Sequence, residues 1–126
     1  MAGKTGGSCL VVIDHGSRNP ESNRLVERIA EGIRELRPDC IVEHAHMESA
    51  PPTLADALAN CLEAGARRVT ILPHFLGPGV HTRETIPELL EELAPDYPEL
   101  AIRIAEPLGP HPKLIEILLE RFAAVD

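Results

Sequence analysis

The feature that most constrains the fold is an alternation of short apolar runs with amphipathic stretches. Residues 9–13 (CLVVI) form a continuous apolar run, which is typical of a strand buried on both faces. Three further short runs, at residues 41–47, 68–72 and 101–104, are also predicted to be strands. Strands that alternate with helices form a parallel sheet joined by right-handed crossovers. We therefore expect an α/β three-layer sandwich with a four-stranded parallel sheet, flavodoxin-like in style.

Local signals place the helices between these strands. Asn19 and Pro20 predict the start of the first helix, since Asn caps helices and Pro suits the first helical position. Pro51 and Pro52 predict the start of the second helix, and Gly65 its left-handed end. The predicted inward stripe of the first helix is Leu25, Ile29, Ile33 and Leu36.

Two more helices complete the predicted order. The third follows the loop at residues 77–79 and ends near Leu93. The fourth begins at His111 and Pro112, and its spacing predicts an inward apolar face. The residues of that face are Leu114, Ile115, Leu118 and Phe122.

Length and charge restrict the class of protein. A chain of 126 residues and 13.7 kDa is long enough for one domain, which we place at residues 9–126 after a flexible, Gly-rich N-terminus at residues 1–8. No apolar run approaches the ~18–20 residues needed to cross a bilayer. The net charge of −8 repels phosphate backbones, so nucleic acid is not an expected partner.

The three cysteines point to a reducing compartment. Cys9, Cys40 and Cys61 form no CxxC pair, and their number is odd. Because the chain is long enough to build its own core, we expect reduced thiols that pack in the interior, and a cytoplasmic location.

Metal-capable side chains follow three of the predicted strands. His15 follows the first strand, Glu48 the second, and His74 and His81 the third. The carboxyl ends of parallel strands meet at one edge of a sheet, where such folds bind ligands. Neutral imidazole and carboxylate are ligands for iron, cobalt, nickel or zinc. The sequence therefore predicts a divalent-metal site at this edge.

Simpler interpretations exist for these residues taken singly. Glu48 suits the cap of the second helix, and His111 suits the N-terminal turn of the fourth. His44 lies in the middle of a strand, where packing is the simpler role, and the role of His46 stays open. The sequence has no Walker loop, no GxGxxG and no GxSxG, so nothing in it favours nucleotide binding or serine hydrolysis.

Four segments together resemble the small CbiX/SirB-type chelatases, also called class II chelatases. They are residues 11–18 (VVIDHGSR) with ESN at 21–23, residues 42–48 (VEHAHME), residues 73–81 (PHFLGPGVH) and residues 105–111 (AEPLGPH). The resemblance extends from about residue 10 to residue 122. Two positions depart from the family pattern: Thr85 stands where Asp is usual, and His74 stands where an aromatic residue is frequent.

The resemblance implies a lyase that inserts a divalent metal into sirohydrochlorin without ATP, in cobalamin or sirohaem biosynthesis. The metal, Co²⁺ or Fe²⁺ and in some members Ni²⁺, is a substrate, and no further cofactor is implied. His15 and His81 correspond to the family's catalytic, metal-handling histidines. Glu48 corresponds to a carboxylate that completes the metal site in some members.

The implied chemistry suits these residue types. A tetrapyrrole loses two pyrrole N–H protons as the metal enters, and a neutral imidazole accepts protons near pH 7. The candidate substrate-binding residues are Ser17, Arg18, Met47, His74, Phe75 and Arg83. Among them the arginines would meet the carboxylates of sirohydrochlorin. A metal-delivery protein and a tetrapyrrole-binding protein, both without catalysis, are the alternatives.

The resemblance also has a consequence for assembly. Longer members of the family contain two similar lobes with the tetrapyrrole between them, and this chain has the length of one lobe. A flat macrocycle needs a wall on each side. We therefore expect a homodimer in which the loops of His15, Glu48 and His81 face the cleft between the subunits.

Overall fold

The computed structural model describes residues 7–77 and 80–125, with the backbone alone for residues 80–85. Its parallel strands are β1 (Ser8–Asp14), β2 (Ile41–His46), β3 (Arg68–Pro73) and β4 (Ala101–Ile104). Its helices are α1 (Pro20–Leu36), α2 (Leu54–Glu63), α3 (Val80–Leu93) and α4 (Pro112–Val125), with a 3-10 turn at Ala94–Asp96. The sheet order is β2-β1-β3-β4, so the predicted α/β fold is confirmed. Within the described residues, no helix is long and apolar enough to cross a membrane.

The predicted start of α1 is confirmed, whereas that of α2 is wrong by a few residues. The Asn19 side chain accepts a hydrogen bond from the Glu21 N–H, and Pro20 is the first helical residue. The second helix begins at Leu54 instead of the prolines, because Thr53 and Asp56 exchange side-chain and backbone hydrogen bonds in a capping box.

The sheet has two differently covered faces. In the parallel register Cys9 pairs with Ile41 and Val69, and these residues point towards α2 and α3. This side holds the larger core, which includes Ile13, Leu58, Ile71 and Ile86, all fully buried. The opposite side is covered by α1, with Ala30 and Ile33 packed against Leu10 and Val42.

The inward stripe predicted for α1 is correct at Ile33 and is displaced by one position in the first half of the helix. Val26 and Ala30 are buried, and Ile33 packs against the core, whereas the remaining three predicted residues are exposed: Leu25, Ile29 and Leu36. The apolar arc of this helix is wide, and its smaller side chains allow the close approach to the sheet.

The expectation of reduced thiols is wrong for two of the three cysteines. Cys9 on β1 and Cys61 on α2 form a disulfide, with Cα atoms 6.2 Å apart, while Cys40 is buried outside it. Both paired residues are fully buried where α2 lies on β1. The two cysteines are 52 residues apart in the sequence, so their pairing can be recognised only when the packing of α2 on β1 is known. The cysteine argument for a reducing compartment is therefore lost.

The expected inward face of α4 is also wrong. Ile115, Leu118 and Phe122 are 58%, 67% and 67% exposed, and Leu114 alone is half-buried. No residue of α4 is buried. The periodicity predicted an apolar face correctly, but it does not specify which surface covers that face.

Candidate functional site

The loops that follow β1, β2 and β3 are joined by backbone hydrogen bonds. The Glu48 N–H donates to the His15 carbonyl oxygen at 3.0 Å, and the Met47 N–H donates to the Asp14 carbonyl oxygen at 2.9 Å. On the other side, the His74 N–H donates to the Ile13 carbonyl oxygen at 2.7 Å. The three predicted segments therefore meet at the carboxyl edge of the sheet, as their sequence positions imply.

Gly16 allows the first two of these loops to touch. Its φ of +90° lies in the left-handed region, which side chains other than glycine's rarely adopt. A Cβ atom at this position would overlap the Glu48 carbonyl oxygen and lie 3.0 Å from the Cβ of His46. The glycine therefore sets the distance between the His15 loop and the Glu48 loop.

A buried acid–imidazole pair lies beneath the loops. Nδ1 of His46 is 2.7 Å from Oδ1 of Asp14, and the His46 side chain is only 2% exposed. The two residues are paired in the β1–β2 register, so the contact joins the ends of neighbouring strands. Sequence reasoning missed this pair, although aligning the two strand ends would have placed the residues side by side.

His15 is exposed at the tip of the first loop. Its ring lies against Phe75, with the ring centroids 4.2 Å apart and the planes tilted by 43°. Phe75 is itself buried and packs in the main core, so it anchors the His15 ring to the rigid part of the molecule. His74, beside it, is half-buried at the end of β3.

The second loop presents one side chain outward and one inward. Glu48 is exposed, whereas Met47 is half-buried and packs against the main core. His44, further back in β2, is half-buried, and burial lowers its pKa because it penalises the charged imidazolium. The neighbouring His46 also lowers the pKa of His44. His44 lies within β2 and not on the loops.

Ser17 and Arg18 have different surroundings. The Ser17 N–H donates to Oδ1 of Asn23 at 2.9 Å, and the Asn23 amide donates back to the Ser17 carbonyl oxygen at 2.7 Å. The Ser17 hydroxyl oxygen accepts a hydrogen bond from the Asn19 N–H, so Ser17 shapes the turn before α1. Arg18 is exposed on the same loop.

Part of the predicted site lies outside the described side chains. His81, Arg83 and Thr85 are on the first turns of α3, and the loop residues 78 and 79 are outside the described residues altogether. Among the side chains that are described, no three His, Cys, Asp or Glu residues converge to hold a metal ion. A three-ligand set that includes His81 therefore stays a prediction.

His111 has the role expected from its position in the N-terminal turn of α4. Its Nδ1 accepts a hydrogen bond from the Lys113 N–H at 3.0 Å, so this exposed histidine caps the start of α4.

Known proteins resemble the chain over nearly its whole length. A sirohydrochlorin ferrochelatase of Arabidopsis thaliana, described as chloroplastic, is 39% identical over 89% of this chain and 50% of its own length. A sirohydrochlorin cobaltochelatase of Methanopyrus kandleri is 33% identical over 89% of this chain and 92% of its own length. The chain thus spans about half of the first relative and nearly all of the second.

Solved structures share the fold. The sirohydrochlorin chelatase SirB of Bacillus subtilis subspecies spizizenii, in complex with cobalt, matches with a TM-score of 0.88 and 22% identity. That match covers 95% of this chain and 51% of SirB. A CbiX protein of Marinobacter aquaeolei VT8 matches with a TM-score of 0.79 and 27% identity, over 93% of both chains. The CbiX family model matches residues 9–125, and the chain belongs to the CbiX family.

Proposed function

We propose that this protein is a sirohydrochlorin chelatase, a lyase that inserts a divalent metal ion into sirohydrochlorin without ATP. The observation that carries the proposal is the identity of 33–39% with a cobaltochelatase and a ferrochelatase over 89% of the chain. Co²⁺ and Fe²⁺ are the expected metals, with Ni²⁺ a further candidate. The metal is a substrate, and the reaction needs no resident cofactor.

The proposed reaction exchanges one divalent cation for two protons. As the metal binds the four ring nitrogens, two pyrrole N–H bonds break and two protons leave. His15 is exposed above the joined loops and is suited to accept a proton as a neutral imidazole. His81 is proposed as its partner, and the exposed Glu48 carboxylate as the anchor that holds the cation.

The backbone contacts favour a site that releases its metal. The main-chain hydrogen bond from the Glu48 N–H to the His15 carbonyl oxygen holds the two loops at a fixed distance from each other. Two imidazoles and one carboxylate leave open coordination positions, unlike a closed four-ligand cage. Such a site binds the ion loosely enough to pass it to a macrocycle.

Recognition of the macrocycle is assigned to the surroundings of these loops. Arg18 and Arg83 are proposed to meet the peripheral carboxylates, which is needed because the chain carries a net charge of −8. Met47, His74 and Phe75 are proposed to border the ring, with Ser17 shaping the loop and available through its hydroxyl proton. A cytoplasmic location stays a prediction.

A homodimer is part of the proposal. One sheet edge offers one wall for a flat ring, and a second copy would supply the other wall across a two-fold axis. The loops of His15, Glu48 and His81 would then face a shared cleft.

The function is tested by mixing the purified protein anaerobically with sirohydrochlorin and Co²⁺, Fe²⁺ or Ni²⁺, and following the absorbance against protein-free controls. A chelatase accelerates the appearance of the metallated product. A metal carrier leaves the tetrapyrrole spectrum unchanged, and an inactive binder shifts it without forming product. Either outcome would contradict the proposal.

The assigned residues are tested with the double variant His15→Ala and His81→Ala. We expect at least a 100-fold loss of insertion rate with an unchanged circular dichroism spectrum. His111→Ala is the matched control, since His111 is an exposed histidine that caps α4. Normal turnover in the double variant would remove both histidines from the mechanism.

A further inference from the structure

One segment that resembles the family has no part in the proposed reaction. It is residues 105–111 (AEPLGPH), which join β4 to α4. The structure attaches this segment to β3 and to the loop that follows β3. The Ala105 N–H donates to the Ile71 carbonyl oxygen at 2.9 Å, and the Leu108 N–H donates to the Phe75 carbonyl oxygen at 2.9 Å. The segment therefore lies beside the loop that carries Phe75.

Gly109 fits against this loop because it has no side chain. A Cβ atom at Gly109 would overlap the Leu76 carbonyl oxygen and lie 3.0 Å from Cδ1 of Leu114 on α4. Gly109 is not among the described glycines that have a positive φ, so space and not a left-handed backbone explains the glycine. A larger residue here would displace either the Leu76 main chain or the first turn of α4.

Phe75 links this contact to the proposed catalytic histidine. Its side chain is 6% exposed and packs in the main core, and its ring centroid is 4.2 Å from that of His15. Its carbonyl oxygen accepts the hydrogen bond from Leu108, and the carbonyl oxygen of the next residue, Leu76, meets Gly109. A shift of the main chain at residues 75 and 76 would therefore move the ring against which His15 lies.

The position of His15 affects the rate of the proposed reaction more than the binding of its substrate. A proton acceptor must lie within hydrogen-bond reach of the N–H that it deprotonates, and a displacement near 1 Å can cost about 100-fold in rate. The peripheral carboxylates of the macrocycle are assigned to the two arginines Arg18 and Arg83. A displacement of His15 is therefore expected to lower kcat far more than it raises KM.

We propose that Leu108 and Gly109 are positioning residues that hold His15 in place through Phe75. Leu108 acts through its main-chain N–H, and Gly109 acts through its lack of a side chain. The inference rests on the proposed function for the role of His15 in the reaction, but the contact itself is tested without any reaction.

The first test follows the imidazole resonances of His15 by NMR in the metal-free protein, because a neighbouring aromatic ring shifts them. His15→Gln assigns the resonances, and Phe75→Leu shows where they fall without the aromatic ring. Gly109→Ala is expected to move them away from their positions in the unchanged protein. Gly65→Ala is the matched control, since it adds the same methyl group where the space is open, before β3. We expect the control to leave the His15 resonances in place.

A second variant changes the other contact of the segment. Leu108→Pro removes the N–H that donates to Phe75 and leaves Gly109 unchanged. The Leu108 side chain is 40% exposed, so little core packing is lost with it. Circular dichroism establishes which variants are folded. Unmoved His15 resonances in folded Gly109→Ala or in folded Leu108→Pro would overturn the proposal.

The last test measures metal insertion into sirohydrochlorin with the same variants. Gly109→Ala is expected to lower kcat by at least about tenfold and to change KM by less than about twofold, whereas Gly65→Ala keeps both values. A raised KM with an unchanged kcat would mean that the segment contacts the macrocycle, and it would overturn the positioning role. If the unchanged protein inserts no metal, the proposed function is refuted, while the NMR result still decides whether the segment holds His15.

Discussion

The substitution Gly16→Ala tests the contact between the two site loops most directly. The substitution lowers the free energy of unfolding for two separate reasons. Alanine must adopt a left-handed backbone at φ +90°, and its Cβ atom overlaps the Glu48 carbonyl oxygen. The backbone term is about 1–2 kcal/mol for a residue with a side chain, and relieving an overlap with main-chain atoms adds about 1–3 kcal/mol. The expected destabilisation is therefore about 3 kcal/mol, or roughly 10 °C in Tm for a domain of this size.

Two other glycines separate these costs. Gly65 has a φ of +97° but open space around its Cβ position, so Gly65→Ala isolates the backbone term, about 1–2 kcal/mol. Gly32 lies inside α1 with no neighbour within 4 Å, so Gly32→Ala is expected to stabilise the protein by about 0.5–1 kcal/mol. The three variants are compared by thermal unfolding monitored by circular dichroism.

Activity supplies a second measurement on the same variants. Forcing the His15 loop away from Glu48 displaces the proposed metal-handling groups, and displacements near 1 Å can cost about 100-fold in rate. We expect Gly16→Ala to lose at least tenfold in insertion rate at a temperature where it is folded, and Gly65→Ala to keep full activity. Equal Tm values for Gly16→Ala and Gly65→Ala, together with unchanged rates, would refute the reasoning.

Three further predictions concern the surroundings of the site. Asp14→Ala leaves the buried His46 Nδ1 without its partner and should cost about 1–3 kcal/mol of unfolding free energy in urea, whereas Asp14→Asn should cost less; equal losses would argue against the hydrogen bond. The pKa of His44 is lowered by burial, so the unfolded chain binds more protons than the folded one as pH falls below about 6.5. Stability is then lost on acidification, and His44→Gln should reduce the fall in the urea midpoint between pH 7 and pH 5; an identical fall would contradict this. Arg18→Glu should raise KM for sirohydrochlorin at low salt and less so at high salt, with Arg28→Glu on α1 as the exposed control; a KM equal to that of the control would remove Arg18 from recognition.

Sequence reasoning recovered the features that depend on neighbouring residues. The bounds of β4, the Asn19 cap and the left-handed Gly65 follow from local patterns, and all are present. The meeting of the His15 and Glu48 loops also follows, since parallel strands bring their carboxyl ends to one edge.

The features that were missed depend on contacts between distant segments. Pairing Cys9 with Cys61 requires α2 to lie on β1, and recognising the Asp14–His46 pair requires the register of two strands. The inward face of α4 was predicted from periodicity, which reports that a surface is apolar but not what meets it. In each case the deciding information is tertiary.

The two site loops each combine an inward residue, Asp14 or His46, with an exposed residue that is proposed to react, His15 or Glu48. Successive side chains of a strand point to opposite sides, so at the end of β1 Asp14 turns inward while His15, the next residue, is exposed. At the end of β2, His46 is buried and Glu48, beyond the turn, is exposed. The inward residues bind each other, and the loops that carry the outward ones are joined by the main-chain hydrogen bond from Glu48 to His15. Under the proposed function, this arrangement fixes the positions of the two groups that accept the metal ion and then release it.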